Sequence, residues 1–140
     1  MTTMTDTEWR AFVTAGTKLA HVGLTRPDGR PHLTPVCFIL DGDEFAFALS
    51  PGSVKGQSLA RDRRLALCVS DERQPYGFVT IEGEARISAE PDEIEHIARG
   101  IADRYYPDQP AQAIAESFVQ EGFTAVRISI TKIIARSGLG

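Results

Sequence analysis

The sequence predicts a mainly β domain with helices packed around it, an α+β fold dominated by antiparallel strands. Three observations carry that prediction. Apolar and polar residues alternate with period two, most strictly in "FVTIEGEARIS", where Val79, Ile81, Gly83, Ala85 and Ile87 share one face and Thr80, Glu82, Glu84 and Arg86 the other. Tight turn signals, Pro27-Asp28-Gly29 and Asp41-Gly42-Asp43, separate neighbouring apolar runs. Helical stripes with start signals sit between groups of strands, and one wet face per strand makes the pairing antiparallel.

The elements follow in order. Thr5 as N-cap with Glu8 three residues later forms a capping box, and Trp9, Phe12 and Val13 then lie on one helical face, ending at Gly16. Residues 18–25 and 31–40 form a hairpin across the first turn, and residues 44–50 extend it to a meander. A short helix starts at Ser53, and strands at 65–70 and 78–88 follow it. Glu90, Pro91, Asp92 and Glu93 open a helix whose stripe is Ile94, Ile97, Ala98, Ile101 and Tyr105. Another helix covers about 111–121, and residues 124–135 make a last alternating strand. Six antiparallel strands with short connections close as a sandwich or as a small barrel. Small residues along the strands (Ala20, Gly23, Ala46, Ala48, Ala66, Gly83, Ala85) suit a barrel, and pattern alone leaves both open.

With 140 residues, 42% of them hydrophobic, the chain reads as one domain over residues 1–140. A net charge of -4 argues against a nucleic-acid binder relying on bulk charge. No apolar run has the length of a membrane span, and the Thr-rich start lacks signal-peptide regions, so the expectation is a cytoplasmic protein without membrane partners. Cys37 and Cys68 sit inside apolar runs and read as small hydrophobes rather than a disulfide or metal pair. His21, His32 and His96 have no metal-motif spacing, so no metal is placed. No nucleophile elbow appears, and the pair Glu82 and Glu84 reads as a solvated face. Catalysis would therefore fall to a bound cofactor.

One stretch departs from the local rules. In "SPGSVKGQSLARDRR" the helix begins with Lys55 and no acid, whereas the other charged starts use Asp6 and Glu8, or Glu90, Asp92 and Glu93. A first-turn cation costs about 0.3–1 kcal/mol, and Gly56 about 1 kcal/mol more relative to alanine. An anion would compensate: the Ser53 cap, the free N–H groups of Val54 and Lys55, the small Gly52 and the Lys55 ammonium together form an anion site, with Arg61, Arg63 and Arg64 further on. The alternative is a solvated helix with Lys55 in water. A P-loop is excluded, since its Gly-Lys-Ser/Thr pattern is absent.

These residues carry a resemblance. D-G-R-P-H at Asp28 to His32, T-P-V at Thr34 to Val36, D-G-D at Asp41 to Asp43, G-S-x-K at Gly52 to Lys55, R-D-x-R at Arg61 to Arg64, P-Y-G at Pro75 to Gly77, E-G-E-A at Glu82 to Ala85 and R-Y-Y-P at Arg104 to Pro107 follow one another in order. From Lys18 to the last strand the chain resembles the pyridoxamine 5'-phosphate oxidase-like, FMN-binding split β-barrel superfamily, most closely its F420-dependent oxidoreductase branch. The resemblance implies a six-stranded Greek-key split barrel and a homodimer with a flavin or deazaflavin in a groove between subunits. Carried over by position, it assigns Ser53, Val54 and Lys55 to the cofactor phosphate, with Ser58 as helper and Ser50 between the two ends. Thr34, Pro35 and Val36 become the wall beside the ring, and Tyr76 a contact from the other subunit. It implies coenzyme F420, with FMN as the alternative, and hydride transfer from reduced F420 to an unsaturated or carbonyl small molecule. The alternatives are an FMN enzyme and a non-catalytic carrier. Tyr76 and His32 are the candidates for protonating a reduced substrate, each read first as a binding or structural residue; the catalytic residues stay unassigned.

Overall fold

Each predicted run forms its element, and one of them forms two. A computed structural model describes residues 1–138. A two-residue strand, β1 (Thr2–Thr3), precedes α1 (Asp6–Thr14). Then come β2 (Ala20–Thr25), β3 (Pro31–Val36), β4 (Ile39–Asp41), β5 (Glu44–Leu49) and α2 (Val54–Arg61). β6 (Arg64–Ser70), β7 (Phe78–Ser88), α3 (Pro91–Tyr105), α4 (Ala111–Gln120) and β8 (Thr124–Ser137) complete the chain.

The expected count of six strands becomes eight for two reasons. Thr2–Thr3 adds a short pairing onto the end of β8. The run predicted as one strand over 31–40 bends at Cys37 and Phe38, so its halves pair with different neighbours, β3 with β2 and β4 with β5. That bend explains the closure. The sheet order is β3-β2-β6-β7-β8-β5-β4, and its two ends are consecutive pieces of one chain segment. The strands form a barrel split at β3/β4, and β6 returns through α2 to lie beside β2, a Greek-key connection.

Alternation selects the inside. Ala20, Val22 and Leu24 of β2, Phe45, Phe47 and Leu49 of β5, Leu65, Leu67 and Val69 of β6, and Val79, Ile81 and Ala85 of β7 are buried in one core. α1 closes one end of it, its capping box formed as predicted, with Thr5 N donating to Glu8 Oε1 at 2.9 Å and Glu8 N to Thr5 Oγ1 at 3.2 Å. From α1, Trp9 and Val13 enter the core, and Trp9 stacks on Phe45 at 6.2 Å. The small strand residues do two different jobs. Gly83 faces inward where β7 meets a bulge in β8, and a Cβ there would lie 2.4 Å from the Ser129 carbonyl oxygen, so only glycine fits. Ala46 and Ala125 face outward and receive Ile94, Ile97 and Ile101 of α3 in a second cluster. The bulge also explains why alternation fails in "TKIIA": Thr131 is left over between pairs Gly83 with Ile130 and Glu82 with Lys132.

Two polar anchors fix α3. Arg104 donates to the carbonyls of Gly16 (2.9 Å), Phe38 (3.1 Å) and Val13 (2.6 Å), joining the C-terminal end of α1 to the split in the barrel. Tyr105 donates to Lys18 O at 2.7 Å and accepts from Phe38 N at 3.3 Å. Among the described residues, no helix is long and apolar enough to cross a membrane.

Candidate functional site

The loop from Ser50 to Gln57 is tied to itself before it presents anything. Ser53 Oγ donates to Ser50 O at 2.6 Å and accepts from Gly56 N at 3.1 Å, so this hydroxyl serves as the N-cap of α2. Ser53 N donates to Ser50 O at 3.1 Å, and Gln57 Nε2 to Gly52 O at 3.1 Å. Gly56 packs against the Ser50 and Pro51 carbonyls. Its presence is therefore set by packing, and it adds nothing to the argument for an anion. What remains are the first-turn N–H groups of Val54 and Lys55, which lie beyond the reach of intrahelical bonding, and the Lys55 side chain itself.

Lys55 is half-buried, and none of the ion pairs among the described residues involves it. It lines a cavity of about 200 Å³ together with Pro35, Val36, Cys37, Tyr106 and Phe118. Of the residues assigned from sequence, this cavity joins Lys55 with Pro35 and Val36. Thr34 is half-buried and pairs with Val22 one step back along β3. Ser58 lies buried on the inner side of α2. Ser50 and Val54 are exposed beside the helix start. Tyr76 stands apart, on the loop between β6 and β7, exposed and with φ of 60°, a conformation that costs a bulky residue energy. His32 is occupied at the far end of β3, where its Nδ1 lies 3.0 Å from Arg26 Nη2.

Sequence reasoning missed Cys37, Tyr106 and Phe118. Tyr106 belongs to the R-Y-Y-P motif, whose residues by themselves point to no role. The other two carry no local signal. Burial pushes the Cys37 thiol up, and the Tyr106 hydroxyl beside it and the Arg104 charge pull it partly back. Burial likewise draws Arg104 down from its ordinary value, against the pull of Tyr105 and Cys37. Both cysteines are free. The arrangement offers one ammonium, two backbone donors and a hydroxyl around an apolar recess, which suits an anionic ligand with an apolar body.

A closed antiparallel barrel split at one strand, with a cation-bearing helix start beside the split, is the architecture of the split β-barrels. The sequence profile described as pyridoxamine 5'-phosphate oxidase matches residues 5–137, and the chain belongs to that family. No curated protein matches the chain. Among solved structures it is similar to a conserved hypothetical protein of Mycobacterium tuberculosis, with TM-score 0.86 and 22% identity over 96% of this chain and 85% of that one. It is also similar to an F420 reductase (TM-score 0.70, 20% identity, 88% of this chain and 94% of that one). A heme storage protein of Vibrio cholerae gives TM-score 0.75 and 14% identity over 99% of this chain and 98% of that one. At such identities the likeness is one of fold.

Proposed function

We propose that this protein is an F420-dependent reductase that transfers a hydride from the reduced deazaflavin to an electron-poor double bond, carbonyl or imine of a small molecule. The observation that carries the reading is Lys55: a half-buried lysine outside the ion pairs of the described residues, at the donor end of a helix and on an apolar recess. Those residues suit the phosphate end of a cofactor, and the strand leading to them suits one edge of its flat ring system, which the recess itself is too small to enclose. Lys55 and the N–H groups of Val54 and Lys55 hold the phosphate, while Pro35 and Val36 exclude water from the ring side, with Thr34 behind them. Ser53 acts through the cap that aims those donors, and Ser58 through packing under the helix. When bound, the cofactor supplies the hydride; the protein supplies position and electrostatics. The reading includes a cytoplasmic homodimer whose second subunit brings Tyr76 to the groove.

The test is titration with F420 and FMN of wild type and Lys55→Ala. F420 binds more tightly than FMN, and the substitution weakens binding about tenfold or more, as loss of a charge-assisted contact requires. Equal binding by the variant refutes the site. The family description favours a second reading, an FMN enzyme, which would purify yellow and prefer FMN. Cofactor binding without reduction of any acceptor across a broad panel would mark a carrier instead. Sedimentation of the same samples reads the dimer.

A further inference from the structure

The recess beside Lys55 has a third wall, built by the turn between α3 and α4. Tyr106 ends α3, and its two predecessors are the anchors: Arg104 holds three carbonyls and Tyr105 bridges Lys18 and Phe38. The backbone at Tyr106 is therefore held while its side chain, 43% exposed, stands at the rim. Its side chain and that of Cys37 line the same recess, and a thiol is at most a weak hydrogen-bond partner, so a ligand oxygen competes well for the hydroxyl. Pockets for drug-sized ligands run to about 300–1,000 Å³, so a recess of about 200 Å³ takes a fragment of a ligand and not a three-ring system.

We propose that this recess is a subsite for a single planar group next to one anionic charge. Lys55 takes the charge, Pro35 and Phe118 take the plane, and the Tyr106 hydroxyl fixes its orientation as a ligand-contacting residue. The inference rests on the reading above only in giving Lys55 an anion. The charge can come from two sources, the phosphate of the cofactor and an anionic acceptor substrate.

Phenyl phosphate is the probe. In a Cys68→Ser background Cys37 is the only thiol, and its alkylation by N-ethylmaleimide reports occupancy. NMR shifts of the Cys37 and Tyr106 amides report the same event without thiol chemistry. Phenyl phosphate should slow alkylation and shift both amides with a Kd on the order of 1 mM. Lys55→Ala should abolish the effect, and Tyr106→Phe should weaken it about threefold or more with an unchanged thermal midpoint. Competition between phenyl phosphate and bound F420 or FMN assigns the charge subsite to the cofactor's phosphate; additive binding would mean that the cofactor phosphate sits away from Lys55 and assigns the subsite to the acceptor. If neither cofactor binds while phenyl phosphate still protects Cys37, the F420 reading falls and the subsite stands. Absence of both protection and amide shifts, or wild-type behaviour of Tyr106→Phe, overturns the proposal.

Discussion

A Cβ added at Gly56 would lie 2.6 Å from the Ser50 carbonyl oxygen and 2.7 Å from that of Pro51, so the loop that presents Lys55 closes only over a glycine. The adjacent residues of the α2 first turn thus answer to different demands: Gly56 to packing, Lys55 to whatever meets its charge. Opposite stability effects should separate them. Gly56→Ala should lower the unfolding free energy by about 1–3 kcal/mol through overpacking, although alanine is the better helix former by about 1 kcal/mol. Lys55→Ala removes a cation from the positive end of a helix and should raise stability by about 0.3–1 kcal/mol while it weakens ligand binding. Urea denaturation of both variants measures this. A stabilised Gly56→Ala would show that the Ser50–Pro51 backbone yields freely, and a destabilised Lys55→Ala that the lysine serves the fold.

At the scale of elements, α3 decides where the recess ends, and one side chain decides where α3 ends. Arg104 spans Val13, Gly16 and Phe38, and its guanidinium also lies 4.6 Å over the Phe38 ring. Lysine keeps the charge and loses the planar fork. Arg104→Lys should therefore cost about 1–3 kcal/mol, from buried carbonyls left with fewer donors, and should loosen the Tyr106 rim. Thermal unfolding reads the first effect and the Cys37 alkylation rate, which should rise, reads the second; an unchanged rate would mean the rim is set elsewhere. This also explains what was legible in the sequence. The caps, turns and alternating faces are local, so Thr5 with Glu8, the Gly42 turn and the β7 alternation could be read directly. The break at Cys37 and Phe38 could not, because an uninterrupted apolar run does not record that its halves have different neighbours. Nor could the third wall of the recess, since Cys37, Lys55, Tyr106 and Phe118 lie far apart in the chain and meet only after closure. The lysine was visible because it broke a local rule, whereas Tyr106 and Phe118 break none.

For the molecule as a whole, one charge cluster binds the helical layer to the barrel and should govern its response to acid. Arg127 of β8 lies between Asp41 of β4 at 2.7 Å, Glu44 of β5 at 3.5 Å and Glu93 of α3, and Arg86 of β7 also pairs with Glu44. Burial opposes the Arg127 charge, but its hydrogen bonds to Glu93 and Asp41 outweigh that and hold its proton more tightly than usual. The hydrogen bond from Arg127 keeps Asp41 below the ordinary carboxylate value of 3.8, and that from Arg86 keeps Glu44 below 4.5. Asp62 and Asp71 are drawn down to about 2 by hydrogen bonds from Arg64 and Arg73, but both arginines lie out in solvent, which screens these pairs. Because the folded values are depressed, the unfolded chain binds more protons in this range. The stabilisation is complete above the unfolded carboxylate values and is lost as pH falls from about 4.5 towards 2. Stability from urea denaturation should accordingly be flat between pH 7 and 5 and then decline. Arg127→Met tests whether the cluster is the cause. At pH 7 it leaves Glu93 without an ion-pair partner among the described residues, Asp41 with only His96 at 3.1 Å and Glu44 with only Arg86, and should cost about 1–3 kcal/mol, less than for a fully buried pair because the carboxylates keep some contact with water. Protonation neutralises these carboxylates, so the gap between variant and wild type should narrow as pH falls below 4. A gap of equal size at pH 7 and pH 2.5 would mean that Arg127 contributes by packing alone, and the acid response would then have to arise elsewhere in the barrel.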